Sequence, residues 1–426
     1  MAAPIFALSS GPPPAGVAVI RLSGEGVFDI VRQISGSRRL PPTREARLRT
    51  LRRPHDQAPL DQALVLIFPG PNSFTGEDSA ELHCHGSPAV VAAVQAALSA
   101  LGARPAEAGE FTRRAFESGR LDLTQVEALS DLIVAETELQ RETALAQAGG
   151  RLRDLADSWR DQLIGIMAEI EAQLDFSDEG DVEASNVYAE RMRGGPLTRL
   201  VDSMEAALHS APVGERIRHG LTIAVTGPPN AGKSSLINAL ARRDVAIVTP
   251  HAGTTRDVIE VHLDLGGRPA ILLDTAGLRE TSDPIEAEGI ARAIARAESA
   301  DLVLNLAPGG NVVNRIDETG ETPGFHSGRL HLSARTGAGL AELEAWLTEW
   351  AEDHIPSGEP PAITTARQQH LIAEALGALK SAQSKADPVL TAEDLRAAAH
   401  ALGRLSGRIG PEVILGAIFS RFCIGK

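Results

Sequence analysis

The eight residues Gly227-Pro228-Pro229-Asn230-Ala231-Gly232-Lys233-Ser234 fit the spacing G-x-x-x-x-G-K-[ST], which is the pattern of a loop that holds phosphate. Glycines let backbone N–H groups turn inward around the anion, and the positive end of the following helix adds to their pull. The flanks agree: LTIAVTG before the loop reads as a buried strand, and SSLINALARR after it reads as a helix. Lys233 is expected at the β and γ phosphates and Ser234 at a Mg²⁺ ion, with Asn230, Ala231, Gly232 and Ser235 completing the loop's contacts.

Downstream segments assign the nucleotide. Gly253-Thr254-Thr255-Arg256-Asp257 offers Thr255 as a second hydroxyl for the metal, and Asp274-Thr275-Ala276-Gly277 closes a buried strand. Asp274 can then reach Mg²⁺ through water, and Gly277 can face the γ-phosphate. This is the switch arrangement of GTPases. Asn314-Arg315-Ile316-Asp317 resembles Asn-Lys-x-Asp, whose carboxylate accepts two hydrogen bonds from guanine, and Ser333-Ala334-Arg335 resembles the Ser-Ala-Lys loop that backs the base. Together they point to GTP. The residue after the Asp-x-x-Gly element is Leu278, which cannot orient a water, so that role falls to Glu280, Asp283, Glu286 or Glu288. The motifs supply no arginine finger either, and a cation near Asn230 is the alternative source of positive charge.

The elements that must position these groups divide the chain. At 426 residues, with 43% hydrophobic and 23% charged, it is an ordinary globular composition too long for one core. Residues 1 to about 115 read as mixed α/β, with strand runs IFAL, GVAVIRL, ALVLIF and SAELHCH and a helix PAVVAAVQAALSALG. Helical spacing begins near Leu121, with Thr124-Gln125-Val126-Glu127 as a capping box, and continues through Gly149-Gly150, where a kink or close helix contact is expected. VGERIRHG (213–220) reads as a linker, strands alternate with helices from Leu221 to near Asp353, and SGEPPAITT precedes a last helical stretch. The expected fold is multidomain: a mostly parallel α/β P-loop domain (214–354) inserted in a helical domain (117–213 and 355–426), after an N-terminal α+β domain (1–116). Only Pro308-Gly309-Gly310 separates DLVLNLA from NVVNRID. A parallel crossover needs about a dozen residues, so the strand order or the base-reading loop should be altered there.

Charge and composition narrow the class. The net charge of −15 excludes a free-standing non-specific nucleic-acid binder. Arginines cluster between Arg32 and Arg53, read as a solvated edge with a nucleic-acid patch as the alternative. No run is long and apolar enough to span a membrane, the N-terminus has no basic signal region, and the two cysteines Cys84 and Cys423 cannot build a disulfide framework. The expected location is cytoplasmic. His83-Cys84-His85 looks like metal-ligand material, but strand alternation sends the histidines to one face and Cys84 to the other. Lysine occurs four times, at Lys233, Lys380, Lys385 and Lys426. At Lys233 and Lys426 its survival amid arginines reads as a need for a compact ammonium, with chance survival as the alternative, and Lys426 stands last in FCIGK.

VAVIRLSG, PNSFTGEDSAELHCHG, GEFTRRAFESGRLDLTQVEALSDLI, GPPNAGKSSLINAL, TPHAGTTRDV, DTAGLRE and the terminal FCIGK run nearly end to end. In these the chain resembles the MnmE (TrmE) family of GTPases that modify the wobble uridine of tRNA. The resemblance implies a folate-binding N-terminal domain that forms a homodimer, a helical domain, and a G domain inserted within it. It also implies an FAD-dependent partner, the MnmG (GidA) protein. With tRNA as substrate, the pair would install an aminomethyl or carboxymethylaminomethyl group at carbon 5 of the uridine, using a one-carbon unit of 5-formyl- or 5,10-methylene-tetrahydrofolate. Carried over position by position, folate contacts fall on Arg21, Glu81, Arg120 and Lys426. Potassium (K⁺) ligands fall on Asn230, Thr249, His251 and Thr254, and the water-orienting residue on Glu286. Arg120 stands where the family usually has lysine, and GPPPAG lacks the family's arginine-glycine pair. Cys423 would lie near the folate carbon, as a reactive thiol or as a buried structural one. The rival reading is a ribosome-assembly or regulatory GTPase acting as a binding switch without one-carbon chemistry. Such proteins usually carry a basic RNA-binding module, and the acidic balance and specific C-terminus count against it.

Overall fold

The computed structural model describes residues 3–176, 195–247, 260–274, 297–385, 387–407, 418 and 425. Contacts divide the chain into two units, Met1–Ser130 with Ser406–Lys426, and Asp131–Leu405.

The first unit is built on a six-stranded sheet in the order β3-β4-β5-β2-β1-β6. Its strands are β1 (Ile5–Leu8), β2 (Ala15–Ser23), β3 (Arg47–Arg52), β4 (Pro59–Phe68), β5 (Ser79–Gly86) and β6 (Arg104–Pro105). Alternation along β2, β4 and β5 sends Ile20, Leu22, Val65, Leu82 and Cys84 to one face, where they pack with α1 (Val27–Ile34) and α2 (Pro88–Ala100). The opposite face carries Arg21, Glu81 and His83 half-buried, with His85 exposed. Burial pushes the Cys84 thiol up to about 12, with the Asp61 carboxylate adding to the effect. His83 is hydrogen-bonded to Glu81 at 3.0 Å and His85 to Asp61 at 2.6 Å. The three residues therefore do not converge, and no group of metal-ligating side chains occurs among the described residues. The arginine-rich segment 47–52, expected as a solvated edge, is strand β3, held by Leu51 in the core.

Helices α3 (Glu110–Glu117) and α4 (Leu123–Val134) follow, and α4 runs past the unit's boundary at Ser130. The capping box of α4 lies two residues before the expected one. Asp122 Oδ1 accepts from Gln125 N at 2.9 Å, and Asp122 N donates to Gln125 Oε1 at 3.2 Å. Aspartate caps at least as well as threonine, and Thr124 instead donates to Asp122 Oδ1 at 2.6 Å.

The second unit holds two separate cores. One is helical: α6 (Arg151–Phe176), α7 (Pro196–His209), α12 (Ala366–Ser384) and α13 (Pro388–Leu405) bury Trp159, Leu163, Leu200, Met204, Ile372 and Leu395 together. Helix α5 (Glu138–Ala148) stops at Gly149, and Gly150 at φ 100° turns the chain into α6. The segment expected as a linker is helix α8 (Ala211–His219), with Pro212 in its first turn. Gly214 is required inside α8, because a Cβ there would stand 1.9 Å from the Ile363 carbonyl oxygen.

The second core is α/β. A four-stranded sheet runs β10-β7-β9-β8, from β7 (Leu221–Thr226), β8 (Glu260–Leu265), β9 (Arg268–Asp274) and β10 (Leu302–Asn305). β7 pairs in parallel with β9 and β10, and β8 is antiparallel to β9. Helices α9 (Lys233–Leu240) and α11 (Leu340–His354) cover it, burying Leu236, Ile237, Leu343 and Leu347. A separate three-stranded sheet, β11-β13-β12, comprises β11 (Val312–Val313), β12 (Gly324–His326) and β13 (Arg329–His331). A four-residue helix α10 (Ile316–Thr319) precedes β12. The short connection after β10 thus ends one sheet and starts another. The Asn311 side chain takes the place of a strand partner: its Nδ2 donates to Val303 O at 2.8 Å and its Oδ1 accepts from Asn305 N at 2.7 Å. Gly310 permits this turn, since a Cβ there would lie 2.1 Å from the Asn305 carbonyl oxygen.

No described helix is long and apolar enough to cross a membrane.

Candidate functional site

The phosphate loop leaves β7 at Gly227 (φ 143°) and enters α9 after Gly232 (φ 90°). Both glycines meet their neighbours closely. A Cβ on Gly227 would press on Leu306 at 3.1 Å, and one on Gly232 would strike Asn314 Nδ2 at 2.3 Å. Asn230 holds the remaining positive φ, 65°. Lys233 is buried, and its Nζ donates to Gly227 O at 2.8 Å and Pro228 O at 3.0 Å. The ammonium is thereby gathered over the loop. Ser234 Oγ donates to Asp274 Oδ2 at 3.0 Å. Asp274 is 2% exposed at the end of β9 and lies opposite Val225 of β7 in the sheet. A hydroxyl joined to a buried carboxylate is a hard-oxygen donor pair suited to Mg²⁺. Ser235 is exposed one position further along α9.

The base-reading residues converge on the same loop. Asn314 Nδ2 donates to Ala231 O at 3.1 Å, while its Oδ1 accepts from Ala334 N at 3.0 Å and Arg315 N at 2.8 Å. One side chain therefore ties the phosphate loop to the 333–335 loop. Arg315 reaches the phosphate loop as well, donating from Nη2 to Asn230 O at 2.5 Å. Asp317 accepts from the Ser333 hydroxyl and pairs with Arg335. The Ser333 hydrogen bond, then the backbone and the Arg335 guanidinium, outweigh desolvation and hold its carboxyl below the usual carboxylate range. An ionised carboxylate is what two N–H donors of a guanine edge require. The β11–β13 pairing just before Asn314 and Ser333 and the Asn314 side chain together fix the place of this loop. Asn314, which sequence marked for base contact, is thus also the structural tie of the site.

In the first unit, Arg21 and Glu81 are direct cross-strand partners on β2 and β5. Arg21 donates to Glu81 Oε1 from Nε at 3.2 Å and Nη2 at 3.1 Å, and its guanidinium lies 5.8 Å from the Phe74 ring centre. His83 takes the other carboxylate oxygen. Arg120 is exposed, and its Cγ approaches the place a Cβ on Gly76 would occupy, at 3.4 Å. Gly425 (φ 105°) is buried against β1: Ser9 Oγ donates to its carbonyl at 2.8 Å, and a Cβ would lie 2.4 Å from Leu8 O. Leu8, which Gly425 meets, follows Ala7, the β1 neighbour of Arg21.

Sequence reasoning missed an ion chain built on the buried Glu110 and Arg114. Arg114 Nη1 donates to Glu77 Oε2 at 3.0 Å and its Nη2 to Glu110 Oε1 at 2.9 Å, and Arg104 grips Glu110 at 2.5 and 2.9 Å. Glu77 also accepts from Ser23 at 2.8 Å, and Ser118 donates to Thr75 O at 2.6 Å. The loop before β5 is thus pinned to α3. The i,i+4 pair Glu110/Arg114 was the available signal. Desolvation raises the Glu110 carboxyl, but the Arg104, Glu107 N and Arg114 hydrogen bonds prevail and bring it down to about 2. Thr249, His251, Thr254, Thr255, Gly277, Glu286, Cys423 and Lys426 lie outside the described residues.

Comparison with known proteins agrees along the whole chain. Residues 4–120 match the model of the GTP-binding protein TrmE N-terminus, and residues 123–423 match that of the MnmE helical domain. The chain is 48% identical over 440 residues to the tRNA modification GTPase MnmE of Rhodopseudomonas palustris, covering 99% of this chain and 98% of that protein. It is 48% identical over 439 residues to that of Maricaulis maris, covering 99% of each. Among solved structures, the G domain of the T. maritima FeoB iron transporter is 28% identical and covers 31% of this chain and 98% of its own, at a TM-score of 0.22.

Proposed function

Because the chain belongs to the MnmE family of tRNA modification GTPases, we propose that its GTP site powers a folate-dependent change at the wobble uridine. The protein is a GTP hydrolase acting in tRNA modification, and it is multidomain with a P-loop G domain. The observation that carries the reading is the Asn314 tie, which draws the phosphate loop and the guanine-reading residues into one nucleotide site.

In this reading Lys233 exchanges its two loop carbonyls for β and γ phosphate oxygens of GTP, and the loop N–H groups and the start of α9 hold the rest. Ser234 and Thr255 hold Mg²⁺, with Asp274 fixing the Ser234 hydroxyl and Gly277 meeting the γ-phosphate. When bound there, Mg²⁺ would supply positive charge to the phosphates. Glu286 orients the attacking water. Asn230, Thr249, His251 and Thr254 hold K⁺, which supplies the positive charge that an arginine finger gives elsewhere. Asp317 accepts from the guanine edge, and Ser333, Ala334 and Arg335 back it.

For the folate, Arg21 and Glu81 offer a paired cation and oriented carboxylate, with Arg120 and Lys426 as further contacts and Cys423 beside the one-carbon unit. The docking of Gly425 at Ser9 supports a tail that reaches this pair. A tetrahydrofolate held there would supply the one-carbon unit, and the FAD-dependent MnmG protein would be the partner in the modification. The domains are assigned as 1–116, 117–213, 214–354 and 355–426. The helical core drawn from both sides of the α/β core in sequence supports the inserted arrangement. A homodimer through the first unit is supported by the exposed Val17, Leu48 and Leu64 on its open sheet face. The proposed place of action is the cytoplasm.

Wobble nucleosides from cells lacking the chain should lose the carbon-5 substituent, as read by mass spectrometry of digested tRNA. Unchanged nucleosides would overturn the reading. For the cation role, GTP turnover should be much faster in potassium than in sodium, and equal rates would remove K⁺ from the site.

A further inference from the structure

The first unit carries a band of arginines that the nucleotide and folate sites do not use. Between Arg32 and Arg53 stand eight arginines and a single acid, Glu45, in a chain of net charge −15. The fold gathers them along one edge. β3 is the outermost strand of its sheet, and alternation sends Arg47 and Arg49 to the side where Leu51 is buried, with Leu48 on the other. The loop after α1 reaches the far end of β3, where Arg52 Cδ lies 3.4 Å from the place a Cβ on Gly36 would take. Leu40 and the buried Pro41 hold that loop on the core. Ser37 Oγ donates to Arg39 O at 3.0 Å and accepts from Arg39 N at 3.3 Å, and Arg38 and Arg39 are both exposed on this turn. Near the start of β3, Arg44 donates to Asn72 O, and its guanidinium lies 5.5 Å from the Phe68 ring centre.

These charges are not neutralised from within. Arg32 pairs with Asp29, Arg47 with Glu45 and Arg53 with Asp56, all at exposed sites where such pairs are weak. Among the described residues, Arg38, Arg39, Arg44, Arg49 and Arg52 have no carboxylate partner. Like charges gathered this way repel one another, and an anionic partner relieves that cost. Charge on an edge strand also blocks pairing with a second sheet. That task needs charge on β3 itself and leaves Arg38 and Arg39, off the strand, unexplained. The band runs at least the length of the six-residue β3, about 20 Å, which is too long for a single phosphate and suits a polymer of them. In a chain this acidic, contact with a polyphosphate depends on such a local band.

We propose that this arginine edge positions tRNA by its backbone phosphates. The proposal rests on the chain's membership of the tRNA modification GTPases and adds where the RNA is held. Planar guanidiniums take phosphate oxygens two at a time, and the outward N–H groups of an edge strand add neutral donors. Such contacts fix the orientation of the RNA without reading its sequence. Leu48 faces the other way, with the surface proposed for the homodimer, so the two surfaces do not compete.

The test uses the full chain and an unmodified tRNA transcript, with affinity read by fluorescence anisotropy over a series of KCl concentrations. Arg38→Gln combined with Arg39→Gln removes two exposed charges that have no carboxylate partner. Each lost phosphate contact lowers the slope of log affinity against log salt by about 0.7–0.9. The double variant should therefore lose about 1.5 from that slope and bind at least about tenfold more weakly near 0.1 M salt. Its GTP turnover without tRNA and its melting temperature should match the parent's. Arg141→Gln combined with Arg396→Gln removes the same charge from exposed sites of the second unit and should stay within about threefold of the parent, since distant charges are screened. Unchanged affinity and slope in the Arg38→Gln/Arg39→Gln variant overturns the proposal and leaves the tRNA modification activity standing, because wobble nucleosides judge that separately. A parent chain that binds no tRNA overturns it as well. So does an equal loss in the Arg141→Gln/Arg396→Gln variant, which would mean net charge rather than a place. So does binding to phosphatidylglycerol vesicles that the Arg38→Gln/Arg39→Gln variant loses while keeping its tRNA affinity, which would give the band to a membrane.

Discussion

Replacing Asn314 by aspartate tests the tie at the centre of the nucleotide site. The substitution keeps size and shape. It also keeps an oxygen to accept from Ala334 N and Arg315 N, now at 3.0 and 2.8 Å. It changes one contact: the Nδ2 donor facing Ala231 O at 3.1 Å becomes a carboxylate oxygen, so two acceptors oppose each other. The lost hydrogen bond is worth about 1 kcal/mol, and the unsatisfied and repelled pair costs about 1–3 kcal/mol more. A total of about 2–4 kcal/mol corresponds to a roughly 30- to 900-fold weaker nucleotide. Titration of a fluorescent GTP analogue against Asn314→Asp, with Mg²⁺ saturating, reads the effect directly. Asn314→Ala should lose less, because it removes the bonds without opposing two acceptors. If Asn314→Asp bound within about threefold of the parent, less than 1 kcal/mol, the tie would not hold the site together and the argument built on it would fail.

Asp274→Asn should raise the Mg²⁺ concentration needed for half-maximal GTP turnover by at least about tenfold, because a charge-assisted bond to Ser234 becomes a neutral one; magnesium titrations check this. Glu110 has a carboxyl lowered from 4.5 to about 2. Its contribution is thus complete above pH 4.5 and is lost as pH falls from there through about 2. Acid unfolding followed by circular dichroism should show this loss, and Glu110→Gln should flatten it while lowering stability at neutral pH. Gly425→Ala places a Cβ 2.4 Å from Leu8 O at a φ of 105°. It should weaken 5-formyltetrahydrofolate by at least about tenfold in calorimetry and leave GTP affinity unchanged, since undocking the tail removes a strained buried contact.

Much of the nucleotide site was legible because its motifs are contiguous. Gly227 to Ser234 state their own geometry, and Asp274 closes a run of apolar residues that can only be a buried strand. Elements whose logic is tertiary were harder to read. Strand β3 is rich in arginine and is held by its own Leu51, whose core neighbours lie elsewhere in the sequence. Helix α8 contains Gly214, which looks like a linker residue until the Ile363 carbonyl is seen pressed against it. The capping box stands at Asp122 rather than Thr124 because two residues two apart can both cap, and Thr124 spends its hydroxyl on the Asp122 carboxylate. The short connection at 308–310 was read correctly as a disturbance, but its remedy, the Asn311 amide on the edge of β10, depends on side-chain contacts that no spacing rule reports. The ion chain of Arg104, Glu110, Arg114 and Glu77 was hidden for the same reason.

The break between β10 and β11 has a consequence for amide protons. In a continuous sheet, ladder hydrogen bonds would shield β11 and β13 together with β7 and β9. Here the small sheet lacks that shared ladder, so its N–H groups can open to deuterium without disturbing the larger one. A guanine nucleotide bound as proposed, with its phosphates at Lys233 and its base at Asp317, would touch both sides and act as a fastener across the seam. Deuterium uptake in 312–331 should therefore slow on nucleotide addition by a larger factor than uptake in 221–226, giving this half of the G domain a stability set by the ligand rather than by the backbone.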